Sequence, residues 1–597
     1  MSNKTLNISR RVFVKGVVAS ALATTVPISL NASTKILTRR DTEELSATEF
    51  NLTIDKISVN ITGEPSVATA VNSMLAGPTL RWREGDEITI NVTNNLEEDS
   101  SIHWHGIILP ASMDGVPGIS FDGIRPGETF TYKFPVVQSG TYWYHSHSGF
   151  QEQTGVYGAI IIEPKEEILD YDKEYVILLS DYSDEKPSSI YRKLKLSADY
   201  YNFNQRTVGD FLTEVREKGF FTAFNQRKMW NNMAMTDRDL SDVTGYTYTY
   251  LMNGQNPATN FKAIFKNSQK IRLRFINSAA MTFFDVRIPG LKMRVVAADG
   301  NYVQPVEVDE FRIGVAETYD VIVEPEDNKA YAIFAQSLDR SGYALGALTY
   351  DASIVAPTPK MDEVGILSHA DMGMNMSGMK EAKQEHDMSS MKEPPKKHES
   401  VMKCGGGMDM SASSSKMEMN MNNVNIPITP LEEDRGVQTT MRAIDPQYRL
   451  NDPGVGLRAN GRKVLTYADL RSLAPTTHDR YPDREIILRL TGNMHRYIWT
   501  INGIAYKDAK PLEFKYGERL RITYINDTMM NHPMHLHGMW SDLETGDDNH
   551  LPRKHTVIAQ PGSKISFRVN VDAKGSWAYH CHLLYHMRDM FRKVVVL

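Results

Sequence analysis

Three segments, EITINVTNN (87–95), KIRLRFINS (270–278) and RLRITYIND (519–527), repeat one pattern: apolar and polar side chains alternate, and the run closes on an asparagine. Period-two alternation places every second side chain on one face, which specifies a half-buried strand rather than a helix. A glycine–acid turn, Gly85-Asp86 or Gly517-Glu518, precedes two of the copies. Gly, Pro and Asn punctuate the chain between such runs, as in antiparallel sandwiches. One copy in each third predicts three related domains, and 597 residues are too many for one core. The expected fold class is all-β, with three antiparallel β-sandwich domains at 45–165, 170–356 and 435–597.

The first and third copies also end alike. PGETFTYKF…SGTYWYHSH (126–147) parallels PGSKISFRV…KGSWAYHCH (561–582), with Ser146 standing where Cys581 stands. The middle copy has no histidine, since none occurs between His147 and His369, and reads as a spacer that holds the outer two together. Within it, TVGDFLTEVREKG predicts a helix capped near Thr207 and stopped by Gly219. Met229, Met233 and Met235 nearby read as core thioethers, with soft-metal ligation as the other reading. Residues 361–423 carry twelve methionines between Met372 and Met421 and almost no other large apolar side chain. Such a stretch cannot bury enough surface to fold alone, so a disordered, flexible Met-rich insertion is expected. Its thioethers, with His369, His386, His398 and Cys404, suit capture of Cu(I) better than they suit an inert linker.

At the N-terminus, SRRVFVKG precedes fifteen uncharged residues, VVASALATTVPISLN. Twin arginines before a short apolar run are an export signal of the twin-arginine type, assigned to residues 1–33. The run is too short and polar to span a bilayer stably. A bacterial protein exported by the twin-arginine machinery to the periplasm is expected. Removing the signal takes away four positive charges and no acid, making the formal charge of −6 more negative. No basic stripe argues for nucleic acid. Two cysteines in an exported chain could form a disulfide, but that would consume a thiol set between histidines.

Those histidines come as four pairs: His103/His105, His145/His147, His535/His537 and His580/His582. On a strand, side chains two apart share a face, so each pair presents two imidazoles together while the residue between them points the other way. Cys581 then faces its own domain while His580 and His582 face outward. Eight imidazoles suit a cluster of three coppers, although imidazole alone does not choose among Zn, Cu, Fe and Ni. Cys581 with His532 and His586 makes the choice, because His₂Cys with a weak axial Met is a copper electron-transfer site.

Together these motifs resemble the three-domain multicopper oxidases, and more narrowly the copper-resistance protein A family. The resemblance spans nearly the whole chain: the signal, HWHG, YHSHSGFQEQTGVYGAIII, the Met-rich insertion, NHPMHLHGMW and WAYHCHLLYHM. It implies cupredoxin-like domains, a monomer and four copper ions. A type 1 copper would take His532, Cys581 and His586. A type 2 copper would take His103 and His535. A type 3 pair would take His105, His145, His147, His537, His580 and His582. Electrons from a donor would pass through Cys581 to His580 and His582, four of them reducing O₂ to two waters. Asp114 matches the family's acid near the cluster, with a turn residue as its other reading. A second acid of some relatives is Met587 here. The axial position, five residues after the last histidine, falls on Phe591, but a one-residue deletion would make Met590 the axial ligand. Cu(I) is the expected donor, with Met529 and Met530 as soft ligands and Asp527 as a harder one; packing of the domain edge is the other reading of the two methionines. Small aromatic donors are the alternative substrate class, and copper sequestration without turnover is the alternative function.

Overall fold

In the computed structural model, which describes residues 43–202, 204–232, 235–374, 426–476 and 480–597, the three alternating runs are strands Glu87–Asn94, Ile271–Asn277 and Arg519–Asn526. Each occupies the same place. It runs parallel to an earlier strand (Glu49–Val59, Lys173–Tyr182, Arg484–Asn493) and antiparallel to a later one (Thr129–Pro135, Thr318–Val323, Ser563–Asn570). The sandwiches are therefore as expected, but their pairing is mixed rather than antiparallel throughout. Parallel neighbours need a crossover. In every copy the crossover includes a strand of the other sheet: Gly77–Arg83, Phe261–Ile264 or Leu512–Phe514. Among the described residues the sheets have five and four strands in the first third, six and five in the second, and eight and five in the last.

The closing asparagine of each run explains itself. Asn94, Asn277 and Asn526 are fully buried. Each side-chain oxygen accepts the backbone N–H two residues on, from Leu96, Ala279 or Thr528. Each side-chain amide donates to two carbonyls: Glu98 and Ile124, Thr282 and Ile313, or Met530 and Ala559. A buried amide with its partners supplied is inexpensive and rigid. These clamps fix the corners that lead to the histidine strands of the outer units.

The middle unit touches both neighbours. Its Asp320 accepts from Thr141 of the first unit (3.0 Å), and its Arg312 donates to the Val455 carbonyl (2.8 Å). The expected helix is Val208–Lys218, capped by Thr207 and Asp210 in a reciprocal box and followed by Gly219 in the left-handed region. Met235 is buried in the core; Met233 and the side chain of Met229 lie outside the described residues. The expected insertion needs one correction. Residues 361–374 pack on the core, with Leu367 and Met372 buried and the Leu367 N–H donating to Asp237. Their few apolar side chains find a surface already formed by neighbouring strands. Residues 375–425, with Cys404, His386 and His398, lie outside the described residues, as does the N-terminal signal. No helix of the described residues is long and apolar enough to cross a membrane.

Candidate metal centre

His103–His105 is a short strand paired with Gly140–His145, so that His103 sits opposite His145. The third unit repeats this with His532–Leu536 against Gly575–Cys581, pairing His535 with His580 and Met534 with Cys581. The residues between the paired histidines turn inward: Trp104 and Cys581 are fully buried. Each histidine pair of these two strands is followed by a glycine with positive φ, Gly106 at 79° and Gly538 at 74°. A Cβ there would lie 2.5 Å from the His555 ring or the Trp577 ring. Only glycine allows these turns to close against aromatic neighbours.

Eight imidazoles from the two outer units meet. Three groups, His103/His105/His535, His103/His147/His537 and His105/His145/His582, each place their ligand atoms within 4.8 Å of one another. His580 joins them through Nε2, 3.0 Å from His537 Nε2, and His582 Nε2 lies 3.3 Å from His145 Nε2. The outward nitrogens are held. His103 Nδ1 bonds the Asp114 carbonyl (2.7 Å), His535 Nδ1 the His555 carbonyl (2.6 Å) and His537 Nδ1 the Asp114 carboxylate (2.9 Å). Such partners fix the tautomer and aim the other nitrogen inward. The inward atoms His103 Nε2, His147 Nε2 and His535 Nε2, with His105 Nδ1, have no hydrogen-bond partner. Buried nitrogens left unpaired are costly, and a borderline-soft metal ion is the partner this donor set fits.

Burial, and after it the neighbouring imidazoles, push His105, His145, His147, His535, His537 and His582 well below the usual histidine range. His580 is pushed down to about 4 by burial. All seven are neutral near pH 7 and can bind metal without first losing a proton.

On the inward side of the same strand, His532, Cys581 and His586 form a fourth group. Cys581 Sγ lies 3.5 Å from His532 Nδ1 and 3.8 Å from His586 Nδ1. Cys581 is free of any disulfide. The other ring nitrogens are engaged, His532 Nε2 with Thr528 (2.8 Å) and His586 Nε2 with Asp242 (2.6 Å). Trp499 stacks on His586 with centroids 4.1 Å apart. Met590 is fully buried. Phe591 pairs with His580 across the sheet and lies flat on its ring (5.5 Å, 7°), on the face away from Cys581. Met529 and Met530, three and two positions before His532 in the chain, are buried. Asp527 departs from expectation: its carboxylate is taken by Arg489 (2.7 and 2.5 Å) and the Ala443 N–H. It is not an open ligand.

Three buried residues complete the centre that sequence reasoning had missed. Glu152 Oε2 lies 3.0 Å from His145 Nδ1 and Oε1 3.8 Å from His582 Nδ1. Asp242 reaches His586 from the middle unit, braced by the Tyr497 hydroxyl (2.9 Å). His555 Nδ1 lies 3.2 Å from His105 Nε2. It also borders a cavity of about 10 Å³ with Asp114, His103, His535 and His537, room for about one water.

Three profiles described as multicopper oxidase match residues 53–167, 173–353 and 479–597. The chain is 52% identical to copper resistance protein A of Escherichia coli, covering 99% of both chains. It is 51% identical to a copper resistance protein A homolog of Pseudomonas syringae pv. tomato, covering 98% of this chain and 99% of that one. The crystal structure of Fet3p, a multicopper oxidase that functions in iron import, superposes with a TM-score of 0.62 at 18% identity, covering 92% and 90%. That likeness speaks for the fold. With two sets of copper-type ligands joined through one cysteine, and near-full-length identity above one half, the chain belongs to the multicopper oxidases, in the copper resistance protein A family.

Proposed function

We propose that the protein oxidises Cu(I) one electron at a time and passes the electrons to O₂, which leaves as water, as part of copper resistance in the periplasm. One observation carries this reading. In His580-Cys581-His582 the thiol belongs to the His₂Cys group, while both neighbours belong to the eight-histidine assembly. In this reading His532, Cys581 and His586, with the buried Met590, would hold a type 1 copper. His103 and His535 hold a type 2 copper, and His105, His145, His147, His537, His580 and His582 hold a type 3 pair. Bound copper supplies single-electron exchange at the thiolate end and dioxygen reduction at the imidazole end.

The chain's own residues do the rest. Cys581 joins the two ends through the shortest covalent path available. Asp114 orients His537 through Oδ2 and borders the one-water cavity. Glu152 orients His145. Asp242 and Tyr497 screen His586, so a donor reaches it through those groups rather than by touching the imidazole.

Cu(I) is favoured as donor by the thioethers of Met529 and Met530 beside His532, and the resistance role by the names of the E. coli and P. syringae relatives. The same reading takes 45–165, 170–356 and 435–597 as the domain bounds, residues 1–33 as a twin-arginine signal, and the working form as a monomer. Oxygen uptake by the copper-loaded protein, with Cu(I) and then a phenol as donor, tests it. Uptake with Cu(I) is expected; uptake with phenol alone would make it laccase-like, and none with either would leave copper sequestration.

A further inference from the structure

Among the described residues seven arginines are buried. Six of them lie within 3.5 Å of a carboxylate, as Arg272 does of Asp320 at 2.7 Å. Arg592 is the exception. It is 4% exposed, and its guanidinium donates to three backbone carbonyls: Phe591 (2.7 Å), Ile501 (2.5 Å) and Ile504 (3.0 Å). It has no ion-pair partner among the described residues. Burial alone pushes its pKa down to about 10, so the group is still charged near neutral pH. A neutral amide would serve the same carbonyls at a smaller desolvation cost. The charge therefore needs a reason of its own.

The strand register shows where that charge lies. On the final strand, Phe591–Val596, Arg592 stands opposite Tyr579 of Gly575–Cys581. Residues opposite each other share a face of the sheet, and so do residues two apart on one strand. Arg592 is therefore on the face of Tyr579 and Cys581, while Phe591 and His580 stack on the other. Diagonal neighbours of this kind are roughly 7–8 Å apart. At its far end the guanidinium meets Ile501, two residues after Trp499, whose ring lies 4.1 Å from that of His586. One unpaired cation thus sits between the strand that carries Cys581 and the strand that packs on His586.

We propose that Arg592 is a fixed charge that raises the reduction potential of the type 1 copper, a role that rests on the oxidase reading above. The effect is Coulombic. Reduction adds one negative charge to the metal and its ligands, and a cation that solvent cannot screen favours that state. Over roughly 10 Å, at an effective dielectric of about 20, one charge shifts the equilibrium between the site and a redox mediator on the order of tenfold. The electron that a donor gives up is then held more firmly at the Cys581 end. Donors that part with an electron reluctantly come within reach of the site. Arg592 touches neither copper nor donor and acts only through the field at the thiolate.

Three substitutions in the copper-loaded, full-length protein separate the charge from the bonds. Arg592→Lys keeps the charge, Arg592→Gln keeps a donor without the charge, and Arg592→Met keeps neither while filling similar space. The blue band of each is titrated against a redox mediator at about pH 6, where a lysine at this depth stays protonated. The glutamine and methionine variants should keep the band and shift about tenfold toward the oxidised form. The lysine variant should stay within about twofold of the native protein. Melting of the copper-free variants reports the bonds separately, and there the lysine variant should fall below the native protein as well. Where glutamine is not tolerated, the methionine variant carries the comparison. An unchanged potential in the neutral variants would overturn the proposal. So would a lysine variant that shifts as far as they do, because the loss would then belong to the bonds. A native protein that shows no blue band after copper loading would overturn the oxidase reading, and this proposal with it.

Discussion

Burial pushes the Cys581 thiol well above the usual range, so a thiolate forms at this position only with a cation bound beside it. Cys581→Ser should therefore abolish the blue absorbance and oxidase turnover together, while metal analysis still finds copper at the eight histidines. Persistence of the blue band would sink the ligand assignment. A second substitution separates Met590 from Phe591. Because Phe591 lies flat on His580, away from the sulfur, Met590→Leu should raise the type 1 potential and shift the blue band, whereas Phe591→Leu should change neither. Redox titration of both variants gives the answer, and the reverse pattern would return the axial place to Phe591. The four H-x-H pairs and Cys581 were readable in the chain because strand periodicity alone says which way they face. Asp242 was not, since it meets His586 across 344 positions and nothing in RDLSDVTG marks it. Asp527 misled for the same reason: its partner, Arg489, sits on another strand.

The asparagine corners belong to the scale of elements. Truncating Asn526 removes two accepted and two donated bonds and strands buried carbonyls, a loss on the order of 3 kcal/mol. Asn526→Ala should lower the melting temperature and also perturb the blue spectrum, because the corner leads into His532. Asn277→Ala should cost similar stability and leave the spectrum alone, since the middle unit carries no ligand. Identical spectral effects would show that the corner does not aim the metal ligands. Alternation and the final asparagine announced these strands, but not their parallel neighbours. That pairing depends on which sheet the chain visits in between, which a local pattern does not record. The ordered stretch 361–374 was hidden for a related reason. Its composition is too polar to fold alone, yet Leu367 and Met372 need only a surface supplied by the rest of the molecule.

Across the whole molecule, the neutral histidines set a pH dependence. Their folded pKa values lie below the unfolded value, so the stability they confer is complete above about pH 6.5. It is lost as pH falls, since the unfolded chain then takes up protons that the folded imidazoles refuse. His580 alone, at about 4, accounts for roughly 3 kcal/mol over that window. Copper-free protein should melt progressively earlier between about pH 6.5 and 4 in scanning calorimetry; a flat profile would mean that the cluster imidazoles are not buried neutral. Removal of residues 375–423 probes a different property. Ten of the twelve methionines counted above lie there, so Cu(I) oxidation should fall more than phenol oxidation, through lost local concentration of the metal. Equal losses would rule out capture by this segment. The asparagine corners carry one more consequence, and it concerns timing. The bonds of the Asn526 clamp are made to the chain's own backbone and to the Thr528 hydroxyl, so the corner that aims His532 closes without help from an ion. The protein can finish its shape first and be metallated later, from whatever copper it meets.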